Sequence, residues 1–314
     1  QSFKVMDVLA RAGELEHSGR SIVHMEVGQP QSGAPAGVLD AAKQALDQDR
    51  LGYTASPGIA PLRSRIATHY KEQYGVDVAA SRVVVTTGSS AAFLLSFTAL
   101  FDAGDRVALA SAGYPCYRNI LSALGCEVVT VPVNKDFKVT AAELEAAMKK
   151  EEELGGAAIK GIILSSPSNP TGAMLSPKEL EELCKLCERR DVTFISDEIY
   201  HGICFGKKDE TALKFSKNAW VINSFSKYYS MTGWRLGWMV VPEDFMDPIN
   251  RLAQNMYISA PSLSQIAGSA AFDCKEELEG HLKRYKENRS LLLEGLASMG
   301  FTDVAPPDGA FYIY

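Results

Sequence analysis

Seven short apolar runs, rich in β-branched residues, punctuate the middle of the chain: 83-VVVTT-87, 106-RVALA-110, 127-EVVTV-131, 160-KGIILS-165, 192-VTFIS-196, 219-AWVIN-223 and 236-LGWMVV-241. Between most of them, apolar residues recur at helical spacing, in 90-SAAFLLSFTALF-101, 115-PCYRNILSALG-125, 140-TAAELEAAMKKEEE-153 and 176-SPKELEELCKLCERR-190. Near-continuously apolar strands that alternate with helices predict an α/β fold, a mostly parallel seven-stranded sheet covered by helices on both faces. The stretch between 223 and 236 is too short, and too rich in Gly and polar residues, for a helical crossover. The final strand is therefore predicted to run antiparallel.

The two ends break this alternation. Residues 1–30 read as an amphipathic helix followed by the apolar 22-IVHMEV-27, and beyond 242 helices are expected near 262–273 and 275–299. The expected organisation is an N-terminal arm and part of a small domain in 1–30, a large domain in 31–242, and the rest of a small α/β domain in 243–314. A length of 314 residues, 46% of them hydrophobic, suffices for a large core. The net charge of −6 leaves no basic excess for a phosphate backbone or an anionic membrane surface, so neither nucleic acid nor membrane is an expected partner. No signal-peptide core opens the chain, and the longest apolar stretch, 91-AAFLLSFTALF-101, is too short to span a bilayer. A cytoplasmic or organelle-matrix location is expected. The six cysteines are scattered, and Cys184-x-x-Cys187 lies in a helical pattern with no second Cys/His pair after it, which predicts core packing and no metal site.

In a sheet of this kind ligands bind beyond the carboxyl ends of the strands. Those ends carry 86-TTGSSAAF-93, 112-AGYPCY-117, 165-SSPSNPTG-172, 196-SDEIYHG-202 and 223-NSFSK-227. Gly88-Ser89-Ser90 falls between a strand and a helix, where free backbone N–H groups suit a phosphate, although Gly-Ser there is also an ordinary helix cap. Asp197 closes an apolar strand and, unless it is simply a solvated strand end, needs a cation, a ligand donor or a metal to stay charged, and a protonated heterocyclic nitrogen would serve; Glu198 reads as a solvated strand end or a locally paired carboxylate. Lys227 sits among apolar and aromatic residues, which would depress its pKa and make its amine a nucleophile able to form a Schiff base; for a lone lysine, a surface position is the commoner case.

Six motifs occur together and in order: 52-GYTASPGIAPLR-63, 87-TGSSAA-92, 114-YPCY-117, 167-PSNPTG-172, 197-DEIY-200 and 224-SFSKYYSMTGWRLGW-238. On these the chain resembles the class I/II aminotransferases, fold-type I enzymes dependent on pyridoxal 5'-phosphate (PLP), over essentially its whole length. The resemblance implies roles residue by residue. Lys227 matches the lysine that binds PLP covalently and later moves the substrate proton, and Asp197 the partner of the pyridinium nitrogen. Asn169 and Tyr200 match the donors to the ring's 3'-oxygen. Ser89, Ser90, Ser224 and Arg235 match the phosphate cradle, and Tyr114 the aromatic stacked on the ring. Tyr53 matches a tyrosine that reaches the phosphate of a neighbouring subunit, implying a homodimer. Gly28 matches a backbone position lining the substrate carboxylate, which Asn169 also borders.

Some features of the pattern are missing. The strand expected near 310-AFYIY-314 precedes, in the family, further chain bearing the arginine that clamps the α-carboxylate; here the chain stops at Tyr314, so it is expected to be C-terminally incomplete, with PLP binding but crippled turnover were it to end there. Neither device for a distal carboxylate is visible: Asn255 stands in the segment where dicarboxylate-specific relatives carry an arginine, and Ser90 where some aspartate-using relatives carry a lysine. The expected activity is transfer of an L-amino acid's amino group to a 2-oxo acid, the aspartate/2-oxoglutarate pair included. A PLP-dependent carbon–sulfur β-lyase or related synthase shares the same motifs, and a PLP-sensing domain of a regulator is the alternative outside enzymes.

Overall fold

The computed structural model describes residues 4–314. The first three residues of the expected N-terminal arm lie outside it. Along the chain the elements are α1 (Lys4–His17), α2 (Ala36–Gln48), α3 (Ala60–Tyr74), β1 (Val83–Thr86), α4 (Gly88–Leu100), β2 (Arg106–Ala110), α5 (Pro115–Ala123), β3 (Glu127–Val131) and α6 (Ala141–Glu153). There follow β4 (Ile159–Ser165), α7 (Pro177–Arg189), β5 (Thr193–Asp197), β6 (Trp220–Ser224), β7 (Gly237–Val240), α8 (Met246–Met256), α9 (Ser262–Ala271) and α10 (Lys275–Ser298).

All seven strands join one sheet in the order β1-β7-β6-β5-β4-β2-β3. β7 runs antiparallel to both of its neighbours, β1 and β6, and every other pairing is parallel, as the short connection before β7 predicts. Period-two alternation divides the strand residues between two cores. Val85, Ile162, Phe194, Val221 and Trp238 pack on one face with α2, α3, α6 and α7. Their neighbours Val84, Ile163, Ile195, Ile222 and Met239 pack on the other with α4, α5 and α8. Reciprocal capping boxes start α6 (Thr140 with Glu143) and α7 (Ser176 with Glu179), satisfying backbone N–H groups that the first turn would leave unpaired.

Cys184 and Cys187 are buried core residues of α7, and burial pushes both thiols up to about 12, where neither is a ready ligand. Among the described residues no His/Cys/Asp/Glu group is arranged to hold a metal ion, and no helix is long and apolar enough to cross a membrane. The apolar run at 22–27 forms neither helix nor strand, with Val23 and Met25 largely exposed. Residues 310–314, where a strand is expected, form none; just before them Gly309 makes one antiparallel bridge with Cys204. Helices α2, α3 and α8 add to those the apolar pattern predicts.

Candidate active site

Five connections converge beyond the carboxyl edge of the sheet. β5 ends in Asp197, whose carboxylate is buried against the hydroxyl of Tyr117, which donates to it, and the backbone N–H of Ile199, 3.1 Å away. Burial raises the Asp197 pKa to about 6, while these two donors work against the rise. The partner Tyr117 lies one turn along α5 from Tyr114. Both tyrosines fall in the YPCY motif, and only the helical spacing between them marks the second as a neighbour of the first.

Lys227 follows β6 on a turn, and its Nζ donates to the carbonyl of Gly28 at 2.6 Å. It also lies 5.7 Å from the ring centre of Tyr200 and 5.9 Å from that of Phe311. Burial draws its pKa down from 10.5 to about 8, opposed by the negative charge of Asp197 and assisted by the positive charge of Arg235. An amine so placed is partly neutral near physiological pH and nucleophilic.

The Asn169 amide donates to the Tyr200 hydroxyl at 3.4 Å, and the Tyr200 hydroxyl meets that of Tyr312 at 2.5 Å. Tyr114 stands in the electrostatic reach of Asp197, Tyr312 and Arg235, and burial raises its pKa. Thus Gly28, Tyr114, Asn169, Asp197, Tyr200 and Lys227 are brought into one neighbourhood, and Tyr117 and Tyr312 join it without having been assigned to it from the motifs.

Beside this group is a cradle with the makings of an anion site. Gly88 opens α4 at φ +71°, and a Cβ there would come within 2.5 Å of the Arg235 guanidinium. Gly237, on the antiparallel return strand, is packed so closely that its Cβ would lie 3.0 Å from the backbone nitrogen of Ser89. Two glycines therefore let a guanidinium and a helix N-terminus share one small space, with Ser89 at its first turn. Arg235 itself takes a left-handed conformation, φ +49°, and donates to the Thr232 carbonyl at 3.0 Å. Ser224 is more enclosed: its hydroxyl donates to the Leu236 carbonyl at 3.1 Å, lies 3.0 Å from the Ser226 hydroxyl and accepts the Ser226 N–H. Ser226, absent from the expected set, is thus the direct neighbour of that hydroxyl. Ser90 is exposed on the α4 surface, and Tyr53 has 85% of its surface open.

Glu198 is not a solvated strand end. It is buried, and accepts from the Ala212 N–H (2.9 Å) and the hydroxyls of Thr211 and Ser196 (3.1 Å each), with His201 3.6 Å away. Next to Asp197 in sequence, it faces inward to a structural network, in which Tyr74 and the Ser166 carbonyl also hold His201. A second cavity-lining group extends from Tyr114 and Asn169 through Ser111, Phe137 and Ser168, enclosing about 160 Å³.

The family model for "Aminotransferase class I and II" matches residues 20–314. The chain belongs to that family. This aminotransferase is 48% identical to the valine–pyruvate aminotransferase of Mycobacterium tuberculosis, over 99% of its own length and 80% of that protein. It is 34% identical to the (5-formylfuran-3-yl)methyl phosphate transaminase of Methanocaldococcus jannaschii, over 100% of its own length and 81% of that protein. Its fold superposes on a crystal structure of an aminotransferase from Mycobacterium tuberculosis with a TM-score of 0.94 at 46% identity, covering all of this chain and 80% of that one. The aspartate aminotransferase of Thermus thermophilus with maleate follows at a TM-score of 0.93 and 28% identity, covering all of this chain and 82% of that one. The seven-stranded sheet of the aminotransferase is thus that of the fold-type I enzymes.

Proposed function

We propose that this aminotransferase holds PLP against Lys227 and Asp197 and moves the amino group of a neutral L-amino acid to a 2-oxo acid. The observation that carries the reading is a buried carboxylate and a partly buried amine at one sheet edge, each shifted by burial toward its neutral form. Two such groups are costly to a fold that has no use for them. A protonated heterocyclic nitrogen would satisfy Asp197, and an aldehyde would take the amine of Lys227. The donor set fits the rest of the cofactor: Asn169 and Tyr200 for a phenolic oxygen, Tyr114 for stacking, and Ser89, Ser224 and Arg235 for a phosphate in the space that Gly88 leaves open. Class I and II aminotransferases generally depend on PLP.

When bound, PLP supplies an electron-withdrawing ring that stabilises negative charge at the substrate Cα. The chain's own residues supply the rest. Tyr117 and the Ile199 N–H hold the Asp197 carboxylate in place, Lys227 Nζ gives and takes the Cα proton, and Asn169 and the backbone at Gly28 line the space for the substrate carboxylate. Tyr53, largely exposed, fits a contact to a second subunit's phosphate, and so an active homodimer. A division into a large domain, 31–242, and a small one drawn from both ends accompanies this reading, since Gly28 and Tyr312 meet Lys227 and Tyr200 from opposite ends of the chain.

A neutral donor is favoured by Asn255 and Ser90, which carry no charge for a distal carboxylate, and by the 48% identity to a valine–pyruvate enzyme against 28–31% for aspartate aminotransferases. The test is to add a panel of amino acids to the PLP-loaded protein and follow the cofactor's visible absorbance and the products. Valine or a similar neutral donor is expected to bleach it with release of the matching 2-oxo acid, and pyruvate to restore it. Release of pyruvate and ammonia with the absorbance intact would instead make the protein a β-lyase.

A further inference from the structure

The segment 305–312 is docked by backbone hydrogen bonds onto the loops that follow β4 and β5. Gly309 N–H donates to the Gly172 carbonyl (2.9 Å), Ala310 N–H to that of Ile203 (2.9 Å), and Phe205 N–H to that of Asp308 (2.7 Å). The fit is close enough that a Cβ on Gly309 would lie 2.5 Å from the Pro167 ring and 2.8 Å from the Ile203 carbonyl oxygen. This docking carries Tyr312 inward until its hydroxyl reaches the Tyr200 hydroxyl at 2.5 Å. On the far side the same hydroxyl occupies the place a Cβ on Gly28 would take. Gly28 in turn accepts from Lys227. One phenol therefore touches the N-terminal segment and the tyrosine of the 3'-oxygen site at once.

A phenolic oxygen has two lone pairs and one proton. Burial raises the pKa of both tyrosines; without a ligand the hydrogen bond they share raises that of Tyr200 further and lowers that of Tyr312 against the rise, so the Tyr200 proton points at Tyr312. Given a ligand oxygen to receive that proton, Asn169 and Tyr312 can both donate to the Tyr200 oxygen, and each makes Tyr200 a better donor. Resting on the PLP reading, we propose that Tyr312 is a positioning residue that acts through Tyr200: its hydroxyl donates to the Tyr200 oxygen and strengthens the hydrogen bond Tyr200 gives to the cofactor's 3'-oxygen. The other charged or titratable groups facing this pair are Asp197, Tyr114 and Lys227. None of them stands between the two hydroxyls. Gly28 is needed by this arrangement as a residue without a Cβ, since any larger one displaces the Tyr312 hydroxyl.

The test is a pH titration of the visible absorbance of the PLP-loaded protein, without substrate, for the parent, Tyr312→Phe, Tyr200→Phe and the double variant. A weaker bond to the 3'-oxygen leaves more negative charge there to hold the proton of the neighbouring lysine-bound nitrogen, so the transition moves to higher pH. Tyr312→Phe is expected to raise it by about half a pH unit, the share of one modest hydrogen bond. Tyr200→Phe should raise it further, and adding Tyr312→Phe to Tyr200→Phe should change nothing more, because the first effect passes through the second residue. Should Tyr312→Phe fold poorly, Gly28→Ala pushes the same hydroxyl aside and is expected to give the same upward shift. An unmoved transition in Tyr312→Phe or Gly28→Ala, or full additivity in the double variant, overturns the proposal while leaving PLP binding intact. A parent protein that develops no visible band with PLP removes the cofactor reading itself, and this proposal with it.

Discussion

Lys227 is the residue whose burial has the most direct thermodynamic signature. Burial lowers its pKa from 10.5 to about 8, so between those values the unfolded chain binds the proton that the folded chain has already released. Stability contributed by this site therefore rises with pH across that window, and below pH 8 the folded state carries the full penalty of an enclosed ammonium. Lys227→Met removes the penalty. In the cofactor-free protein it is expected to raise the melting temperature at pH 7, with the gap over the parent closing as the pH approaches 10.5. An unchanged or lower melting temperature at pH 7 would mean that the amine is better solvated or better paired than its contact with the Gly28 carbonyl provides. The same substitution should cost transamination at least about a thousandfold, the scale of losing a positioned proton carrier and covalent anchor together. A gain in stability with a loss of activity marks a site built for a ligand that folding itself does not require.

At the scale of elements, the site depends on how closely α4 approaches β7 and the turn before it. Gly88 needs φ +71°, and its Cβ would press on the Arg235 guanidinium, the flexible end of a side chain. Gly237 faces backbone instead, with a Cβ position 2.9 Å from the Gly88 carbonyl carbon and 3.0 Å from the Asn223 oxygen. Gly88→Ala is therefore expected to leave the fold in place and weaken PLP binding about tenfold or more, by moving Arg235 and straining the first turn. Gly237→Ala must push α4 away from the sheet and should destabilise the protein by roughly 1–3 kcal/mol. Cofactor titration and thermal unfolding of the two variants separate these outcomes. The strands were legible in the sequence because most are short, nearly continuous apolar runs in a sheet covered on both faces, and the antiparallel β7 followed from the shortness of the connection before it. Helices such as α3 were harder to read, since its buried Leu62, Ile66, Tyr70 and Tyr74 are interleaved with His69, Arg63 and Arg65, which blur the apolar face. At the site, motifs pointed to Lys227, Asp197, Asn169 and Tyr200. Tyr117 and Tyr312 escaped because their roles depend on contacts across 80 and 112 residues, respectively, that no local pattern encodes. Ser226 escaped because only the turn after β6 folds it back onto the Ser224 hydroxyl. For Glu198 the sequence left a solvated strand end and a local pairing open, and the structure takes the pairing: the carboxylate is buried just past β5, and only the fold brings Thr211 and Ala212 to it.

For the whole molecule, the two ends of the chain matter as much as the sheet. Gly28 and Tyr312 meet at Lys227 and Tyr200, so the site is completed by segments nearly three hundred residues apart in sequence. The loop bearing Tyr53 is tied to the start of α9 by Ser262 and to the segment before it by Ser259, beside the exposed Met256 and Ile258. Such an apolar edge with a protruding tyrosine suits a second copy of the chain. Sedimentation should find a dimer, and Tyr53→Phe should leave the dimer intact while loosening its hold on PLP by about tenfold, the worth of one charge-assisted hydrogen bond. A monomer that keeps PLP equally well would separate the site from any partner. The most direct measurement of the central claim is to load the protein with PLP, reduce it with borohydride, digest it and map the modified peptide by mass spectrometry. A phosphopyridoxyl group on Lys227 and on no other lysine is the predicted result; a protein that binds PLP and transaminates with the label elsewhere, or with none, would contradict the site described for it.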